Sequence, residues 1–164
     1  MKPHTIQALR ILNERAAESA RKKHPSVPSY AIAAKKYRDS TANELTKAVI
    51  AWLRLEGHQA ERISVTGRVI DCRKTVTDTI GRIRTIGSVT RVRSSMRKGS
   101  ADISATIYGR SVKVEIKMPG DRQSEDQKAY QAEVEQAGGV YIIVGSFGEF
   151  YQWYRVFTTK KAPR

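Results

Sequence analysis

The sequence predicts an α/β fold in which helices flank a central mixed β-sheet. Three observations predict it. Apolar residues recur at helical spacing after Thr41, two strictly alternating segments follow Gly99, and an apolar run, Val140–Val144, follows a second helical stretch. We expect the order helix, three antiparallel strands, helix, strand, helix, with a right-handed crossover before the last strand.

Length and charge limit the classes of function. A chain of 164 residues can form one full hydrophobic core. Its formal net charge of +14 predicts an anionic partner, and nucleic acid is the first candidate because a basic surface releases counterions from a polyanion. No apolar run approaches the length of a membrane span, so no membrane partner is expected. The single cysteine, Cys72, excludes a disulfide framework and favours a cytoplasmic location.

Residues 1–40 are predicted to form a basic, partly helical N-terminal arm. A weak helical stripe over residues 6–16 ends in the basic run Arg21-Lys22-Lys23, and Pro25 and Pro28 then interrupt the chain. We expect this arm to lie at the periphery and to be mobile.

The main domain, residues 41–164, begins with a helix from Thr41 to a stop at Gly57, and a strand is expected near residues 59–65. A basic insertion follows at about residues 66–98. Within it, residues 81–87 and 89–93 have the pattern of short β-ribbon segments around a turn.

The insertion has two interpretations. Charge of one sign over so long a stretch repels itself, which favours a surface or arm that binds the DNA backbone over a solubilising loop. The predicted nucleic-acid-binding residues are Arg68, Arg73, Lys74, Arg82, Arg84, Arg91, Arg93, Arg97 and Lys98.

The candidate catalytic residues lie on a predicted hairpin of residues 101–108 and 111–118, with a turn at Gly109-Arg110. Residues two apart in a strand share a face, so Glu115 and Lys117 project together, and Asp102 lies on the neighbouring strand with the same orientation. Two carboxylates suit Mg²⁺, which binds few carboxylates and keeps several waters. The alternative is a solvated polar face with an incidental Glu–Lys pair.

Beyond the hairpin, a helix is predicted over residues 124–137, followed by Val140–Val144 as a strand buried on both faces. A last helix opens at Ser146, and its aromatic residues at helical spacing are expected to pack in the core.

These motifs together resemble the PD-(D/E)XK nuclease superfamily. The matching pieces are Gly99-Ser-Ala-Asp102, Val114-Glu-Ile-Lys117, Ser124-Glu-Asp-Gln127 and Gly138-Gly-Val140. More narrowly, the chain is similar to the stand-alone VRR-NUC group of phage and repair proteins, over about residues 41–155. The resemblance implies a restriction-endonuclease-like core and hydrolysis of phosphodiesters with Mg²⁺ (or Mn²⁺). Ala101 departs from the family's usual proline, and the long basic stretch has no counterpart.

The resemblance also implies roles for individual residues. Asp102 and Glu115 would ligate the metal with the Ile116 carbonyl, and Lys117 would serve the nucleophile. Gln127 matches a glutamine that faces the active site, and Glu44 matches a first-helix glutamate near the metal. Both have a structural alternative, because Ser124-x-x-Gln127 and Thr41-x-x-Glu44 also have the spacing of a capping box.

The expected function is therefore a metal-dependent endonuclease that acts on branched or junction DNA in replication, repair or recombination. Selectivity for structure is expected because phosphate contacts carry no base information. The resemblance further implies a homodimer, whose two-fold symmetry would match a four-way junction. A non-catalytic nucleic-acid-binding module on the same fold and a sequence-specific restriction-type endonuclease remain as alternatives. No nucleotide cofactor is expected, since the chain has no Gly-rich phosphate loop.

Overall fold

A four-stranded mixed sheet with packed helices and a separate β-ribbon make up the computed structural model, which describes residues 3–33, 35–64, 67–92 and 97–159. The helices are α1 (Pro3–Lys23), α2 (Ala42–Leu55), α3 (Glu125–Gln136) and α4 (Phe147–Thr159). The strands are β1 (Gln59–Arg62), β2 (Arg68–Asp71), β3 (Lys74–Thr77), β4 (Ile83–Ile86), β5 (Val89–Val92), β6 (Ile103–Ile107), β7 (Arg110–Ile116) and β8 (Val140–Val144). None of the helices in these ranges is long and apolar enough to span a bilayer.

The sheet has the order β1-β6-β7-β8. β1, β6 and β7 pair antiparallel, and β8 pairs parallel to β7 after the crossover through α3. The predicted α/β class and the mixed sheet are thus confirmed. From α2 onward, the helices and the strands of this sheet follow the predicted order, with the ribbon strands β2–β5 inserted between β1 and β6 and with α1 preceding them. This architecture by itself does not identify a nuclease core.

The turn between β6 and β7 lies one residue earlier than predicted. Ile107 pairs with Arg110, which is the first residue of β7, so Tyr108 and Gly109 form the two-residue loop. Both loop residues have positive φ, 46° and 75°, as a type I′ hairpin requires. This register places Val112, Val114 and Ile116 on the buried face and leaves Glu115 on the opposite one.

Helices α2 and α4 pack on the apolar face of the sheet, where their buried residues join those of β6 and β7 in one core. Apolar spacing along α2 follows the helical period, with Leu45, Val49, Trp52 and Leu53 all buried. Helix α3 packs against β8 and has no buried residue. Its Gln127 contacts Glu115, so α3 covers the other face of the sheet.

Helix α1 belongs to this core, in contrast to the expected peripheral arm. Ala8, Leu9 and Leu12 are buried in the same cluster as the residues of α2 and α4. The approach of α1 to α4 is close: a Cβ on Gly148 would lie 2.4 Å from Thr5 Oγ1. The weak apolar stripe of α1 is sufficient to bury the helix, because α1 packs only against one side of α2 and α4.

The segment between α1 and α2 is also tied to the domain. The Asn13 amide donates to the Tyr37 carbonyl and accepts from the Tyr37 backbone N–H, at 3.3 and 2.7 Å. Buried Asp39 accepts a hydrogen bond from the Phe147 N–H at 3.0 Å, which caps the first turn of α4.

Strand β8 is not buried on both faces, as its apolar sequence predicted. Tyr141 and Val144 are buried, whereas Ile143 is 45% exposed. The reason is that β8 is the edge strand of the sheet and α3 covers only part of its outer face.

The basic insertion forms a long two-stranded ribbon. β2 pairs with β5 and β3 pairs with β4, in one continuous antiparallel register from Arg68–Val92 to Thr77–Ile83. The predicted segments of residues 81–87 and 89–93 therefore pair with β3 and β2 and not with each other. At Gly87 the ribbon bends with φ of 96°, and a Cβ there would lie 2.3 Å from the Cys72 carbonyl oxygen.

The packing of α1 can be tested by truncating one buried side chain. Because Leu12 is fully buried, Leu12→Ala is expected to lower the free energy of unfolding by about 2–5 kcal/mol. Ile6→Ala changes a 55% exposed side chain on the same helix and is expected to alter it by at most about 0.5 kcal/mol. Urea denaturation followed by circular dichroism measures both, and a similarly small effect of the two changes would contradict the core position of α1.

Candidate active site

The predicted carboxylates meet where β6 begins and β7 ends. Asp102 directly precedes β6, and Glu115 lies near the end of β7. Asp102 Oδ2 accepts a hydrogen bond from the Ile116 backbone N–H at 2.9 Å, which fixes the Asp102 side chain against β7. The sequence prediction that both carboxylates lie together is therefore matched by the geometry.

Glu115 is the most constrained side chain of the site, with 2% exposure. Lys117 Nζ lies 3.1 Å from its Oε1, and the Gln127 amide donates to the same oxygen. The Tyr141 hydroxyl donates to Oε2 at 3.4 Å. Burial and the nearby charge of Asp102 raise the pKa of Glu115, while Lys117 and Tyr141 act in the opposite direction.

Gln127 caps α3 and also contacts the residues of the candidate site. Its Oε1 accepts from the Ser124 backbone N–H at 3.0 Å, and Ser124 Oγ accepts from the Gln127 N–H at 3.3 Å, which completes a capping box at the start of α3. The same Oε1 also accepts from Lys117 Nζ at 3.0 Å. The capping geometry therefore holds the amide in place to contact Lys117 and Glu115.

Glu44 stands apart from this group. Its backbone N–H donates to Thr41 Oγ1 at 3.2 Å, but its side chain makes no return bond, so only Thr41 performs the cap. Glu44 Oε2 is buried without a hydrogen-bond partner among the residues described. Over those same residues, no three His, Cys, Asp or Glu side chains are grouped so that they could hold a metal, so Glu44 does not join Asp102 and Glu115 in one ligand set.

The two carboxylates that do meet suit a hard divalent cation. Mg²⁺ takes one or two protein carboxylates and completes its shell with water, so Asp102 and Glu115 with the Ile116 carbonyl form an adequate set. Burial and the charge of Asp102 both disfavour the ionised form of Glu115 and raise its pKa. A cation between the carboxylates would offset that cost, and the residues present therefore fit Mg²⁺ or Mn²⁺.

The predicted nucleic-acid-binding cations divide into two groups. Four have acidic partners, in the pairs Arg73–Asp71, Arg84–Asp78, Arg97–Glu133 and Lys98–Asp126. Arg97 and Lys98 thus pair with acidic residues of α3. Within the described ranges the remaining side chains have no acidic partner, namely Arg68, Lys74, Arg82 and Arg91. Arg93 lies outside the described residues.

Tyr141 belongs to the site but was not predicted from the sequence. Parallel pairing sets Lys113 beside Tyr141 and Glu115 beside Ile143, so all four side chains share the face that α3 covers. Burial and Glu115 raise the pKa of Tyr141, which keeps its hydroxyl protonated as a donor. The only signal in the sequence was a tyrosine in an otherwise aliphatic strand.

Comparison with known proteins gives no relative: no family model matches the chain, and no curated protein matches it significantly. The assignment of roles to Asp102, Glu115 and Lys117 depends on the geometry above and on the resemblance of the motifs.

Neutralising Glu115 is expected to stabilise the metal-free protein. The folded-state pKa of Glu115 is raised, so its ionised form costs stability above the ordinary glutamate pKa, and Glu115→Gln removes that cost. The gain should be present near neutral pH and vanish below the ordinary pKa, where the carboxyl is protonated in both states. Each 1 kcal/mol gained in the free energy of unfolding corresponds to a rise of about 2–4 °C in melting temperature.

Melting in EDTA from about pH 4 to about pH 8 measures this effect. Glu125→Gln, at a side chain 89% exposed, is the matched control and should change little. A lower melting temperature for Glu115→Gln near neutral pH would show that Glu115 stabilises the fold as a simple ion pair with Lys117.

Proposed function

We propose that this protein is a metal-dependent endonuclease that hydrolyses DNA phosphodiester bonds on a restriction-endonuclease-like core of the PD-(D/E)XK type. The observation that carries the proposal is the convergence of Asp102, Glu115 and Lys117 at the end of β7. Glu115 Oε1 lies 3.1 Å from Lys117 Nζ, and Asp102 is held against the same strand by the Ile116 N–H. Burying an acidic side chain next to a second one costs stability, which a catalytic use would explain.

In this proposal Asp102 and Glu115, with the Ile116 carbonyl, hold Mg²⁺ or Mn²⁺. When bound, the ion supplies a Lewis acid that lowers the pKa of a coordinated water and neutralises charge on the phosphoryl oxygens. Glu44 is not part of this proposed ligand set, because it is not grouped with Asp102 and Glu115 among the described residues.

Lys117 is proposed to contact the substrate or the attacking water, and Gln127 to hold Lys117 in position. The Lys117 side chain is 19% exposed, whereas that of its partner Glu115 is 2% exposed. Lys117 would bind a phosphate oxygen or orient the attacking water. Gln127 holds Lys117 at 3.0 Å and would keep the ammonium at the mouth of the site.

DNA as substrate is supported by the charge and by the ribbon. The net charge of +14 steers the chain to a polyanion. A two-stranded ribbon fits the major groove of a duplex, and its cations without acidic partners would contact phosphates there. Selectivity for branched DNA, a homodimer and membership of the VRR-NUC group remain proposals from the resemblance.

A non-catalytic nucleic-acid-binding module is the second candidate, and one observation favours it. Glu115, Lys117, Gln127 and Tyr141 already satisfy one another by hydrogen bonds, so the network is complete without a ligand. A restriction-type enzyme would instead release discrete fragments of fixed sequence from long DNA.

Cleavage assays separate the enzyme from the binding module. With Mg²⁺, we expect the protein to cut a four-way junction or a supercoiled plasmid, and Lys117→Ala to slow cutting by about 10²–10⁴-fold. Asp102→Asn should abolish cutting and leave DNA binding in EDTA intact. Lys113→Ala is the matched control, since Lys113 projects from the same strand face but donates only to Ser104 Oγ at 2.6 Å.

Inactivity of the wild-type protein on flaps, junctions, duplexes and single strands with both metals would reject the enzyme and favour the module. If Lys113→Ala and Lys117→Ala slow DNA cleavage equally, the assigned role of Lys117 is rejected.

The ribbon is expected to bind duplex through its unpaired cations. The variant Lys74→Gln/Arg91→Gln should weaken duplex binding and make the slope of log K against log salt shallower by about 1.8, since each phosphate contact contributes about 0.9. Arg10→Gln/Arg155→Gln removes the same charge from exposed positions on α1 and α4 and should leave the slope nearly unchanged. Fluorescence anisotropy with a labelled duplex in EDTA measures both, and identical slopes would exclude the ribbon as a contact surface.

A further inference from the structure

A basic cleft of about 1090 Å³ lies between α1 and α2, beside the segment that contains Lys35 and Tyr37. Of the described residues that line it, only Glu18 carries a carboxylate. The cations in the lining are Arg15, Lys22, Lys23, Lys35, Lys47, Arg54 and Arg62. Such an excess of one sign in a concave surface focuses the field and attracts an anionic ligand.

Several of these cations are available for a ligand. Lys22, Lys23 and Lys47 are exposed and have no acidic partner within the described parts of the chain. Others serve the fold: Arg15 pairs with Glu56, and Arg54 donates to the Ala60 carbonyl at 3.0 and 2.8 Å. The free ammonium groups lie on both walls of the cleft, since Lys22 and Lys23 end α1 and Lys47 projects from α2.

One end of the cleft lies at β1. Arg62, the last residue of β1, lines the cleft, pairs with Ile103 and donates to Asn43 Oδ1 on α2 at 2.7 Å. Ile103 belongs to the apolar face of the sheet, whereas Glu115 lies on the opposite face. The cleft is therefore a separate surface from the candidate active site.

The lining of the cleft favours a single strand over a duplex. Tyr37 adds an aromatic ring to the lining, with Lys35 Nζ 5.6 Å from the ring centroid. A basic groove with an aromatic surface is the usual arrangement for binding single strands.

We propose that the cleft between α1 and α2 binds a single-stranded segment of nucleic acid. This binding does not depend on the proposed function, because the charge and shape of the cleft act without metal or chemistry. The substrate class, which rests on the proposed function, is DNA with an unpaired arm, such as a flap or a frayed branch.

The test compares strand binding in EDTA, where no cleavage occurs. Lys22→Gln/Lys47→Gln is expected to weaken binding of a labelled single-stranded oligonucleotide by about tenfold to thirtyfold, and to reduce the salt slope by about 1.4, since each contact with a single strand contributes about 0.7. Arg10→Gln/Arg155→Gln has the same net charge and should change binding by less than about threefold. Lys74→Gln/Arg91→Gln on the ribbon should affect duplex binding more than strand binding. Melting curves verify that all variants remain folded, as is expected for exposed side chains.

Equal weakening by the cleft variant and by its Arg10/Arg155 control would overturn the proposal, since only net charge would then matter. A cleft variant that loses duplex affinity but keeps strand affinity would overturn the single strand as the occupant. If the wild-type protein cuts no DNA but the cleft variant loses strand binding, the cleft proposal is supported and the nuclease proposal is rejected. If the wild-type protein cuts DNA but the cleft variant binds single strands normally, the nuclease proposal is supported and the cleft proposal is rejected.

Discussion

The burial of Glu115 beside Asp102 is the constraint on which the site depends. A carboxylate with 2% exposure is stable only with partners, and three neighbours provide them: Lys117 just after β7, Gln127 on α3 and Tyr141 on β8. One side chain therefore contacts both α3 and β8. Burial, and after it the charge of Asp102, raise the pKa of Glu115 and disfavour its ionised form.

The register of the β6–β7 hairpin determines which side chains of β7 face the core and which face the candidate site. A slip of one residue would exchange the two faces of β7, which would bury Lys113 and Lys117 in the apolar core and expose Val114 and Ile116. The loop of Tyr108 and Gly109 and the apolar contacts of β6 with α2 both oppose such a slip. The core on one face therefore stabilises the charged group on the other, and the helices α1, α2 and α4 contribute to the site without touching it.

Positive charge is concentrated on two surfaces of different shape. The ribbon is exposed and has apolar and basic side chains on both faces, whereas the cleft between α1 and α2 is concave and basic on both walls. Arg97 and Lys98 belong to neither surface, because they pair with Glu133 near the end of α3 and with Asp126 in its first turn. A duplex and a single strand would then meet the protein at separate places, as a branched substrate requires.

The sequence by itself determined the features that depend on neighbours within a few residues. Period-two alternation in β6 and β7 placed Asp102, Glu115 and Lys117 on one face, and capping residues placed the starts of α2 and α3 at Thr41 and Ser124. These are local effects of backbone geometry, which a single chain segment expresses wherever it lies.

Only the tertiary structure decided the features that depend on contacts between distant segments. The weak stripe of α1 became core because α4 presents Gly148 to it, and the apolar run of β8 became a half-exposed edge because α3 covers it incompletely. The pairing of β2 with β5, the contact of Tyr141 with Glu115 and the cleft along α2 likewise join residues far apart in the chain. Composition and periodicity predict which side chains are buried, but the packing of the whole domain decides which residues bury them.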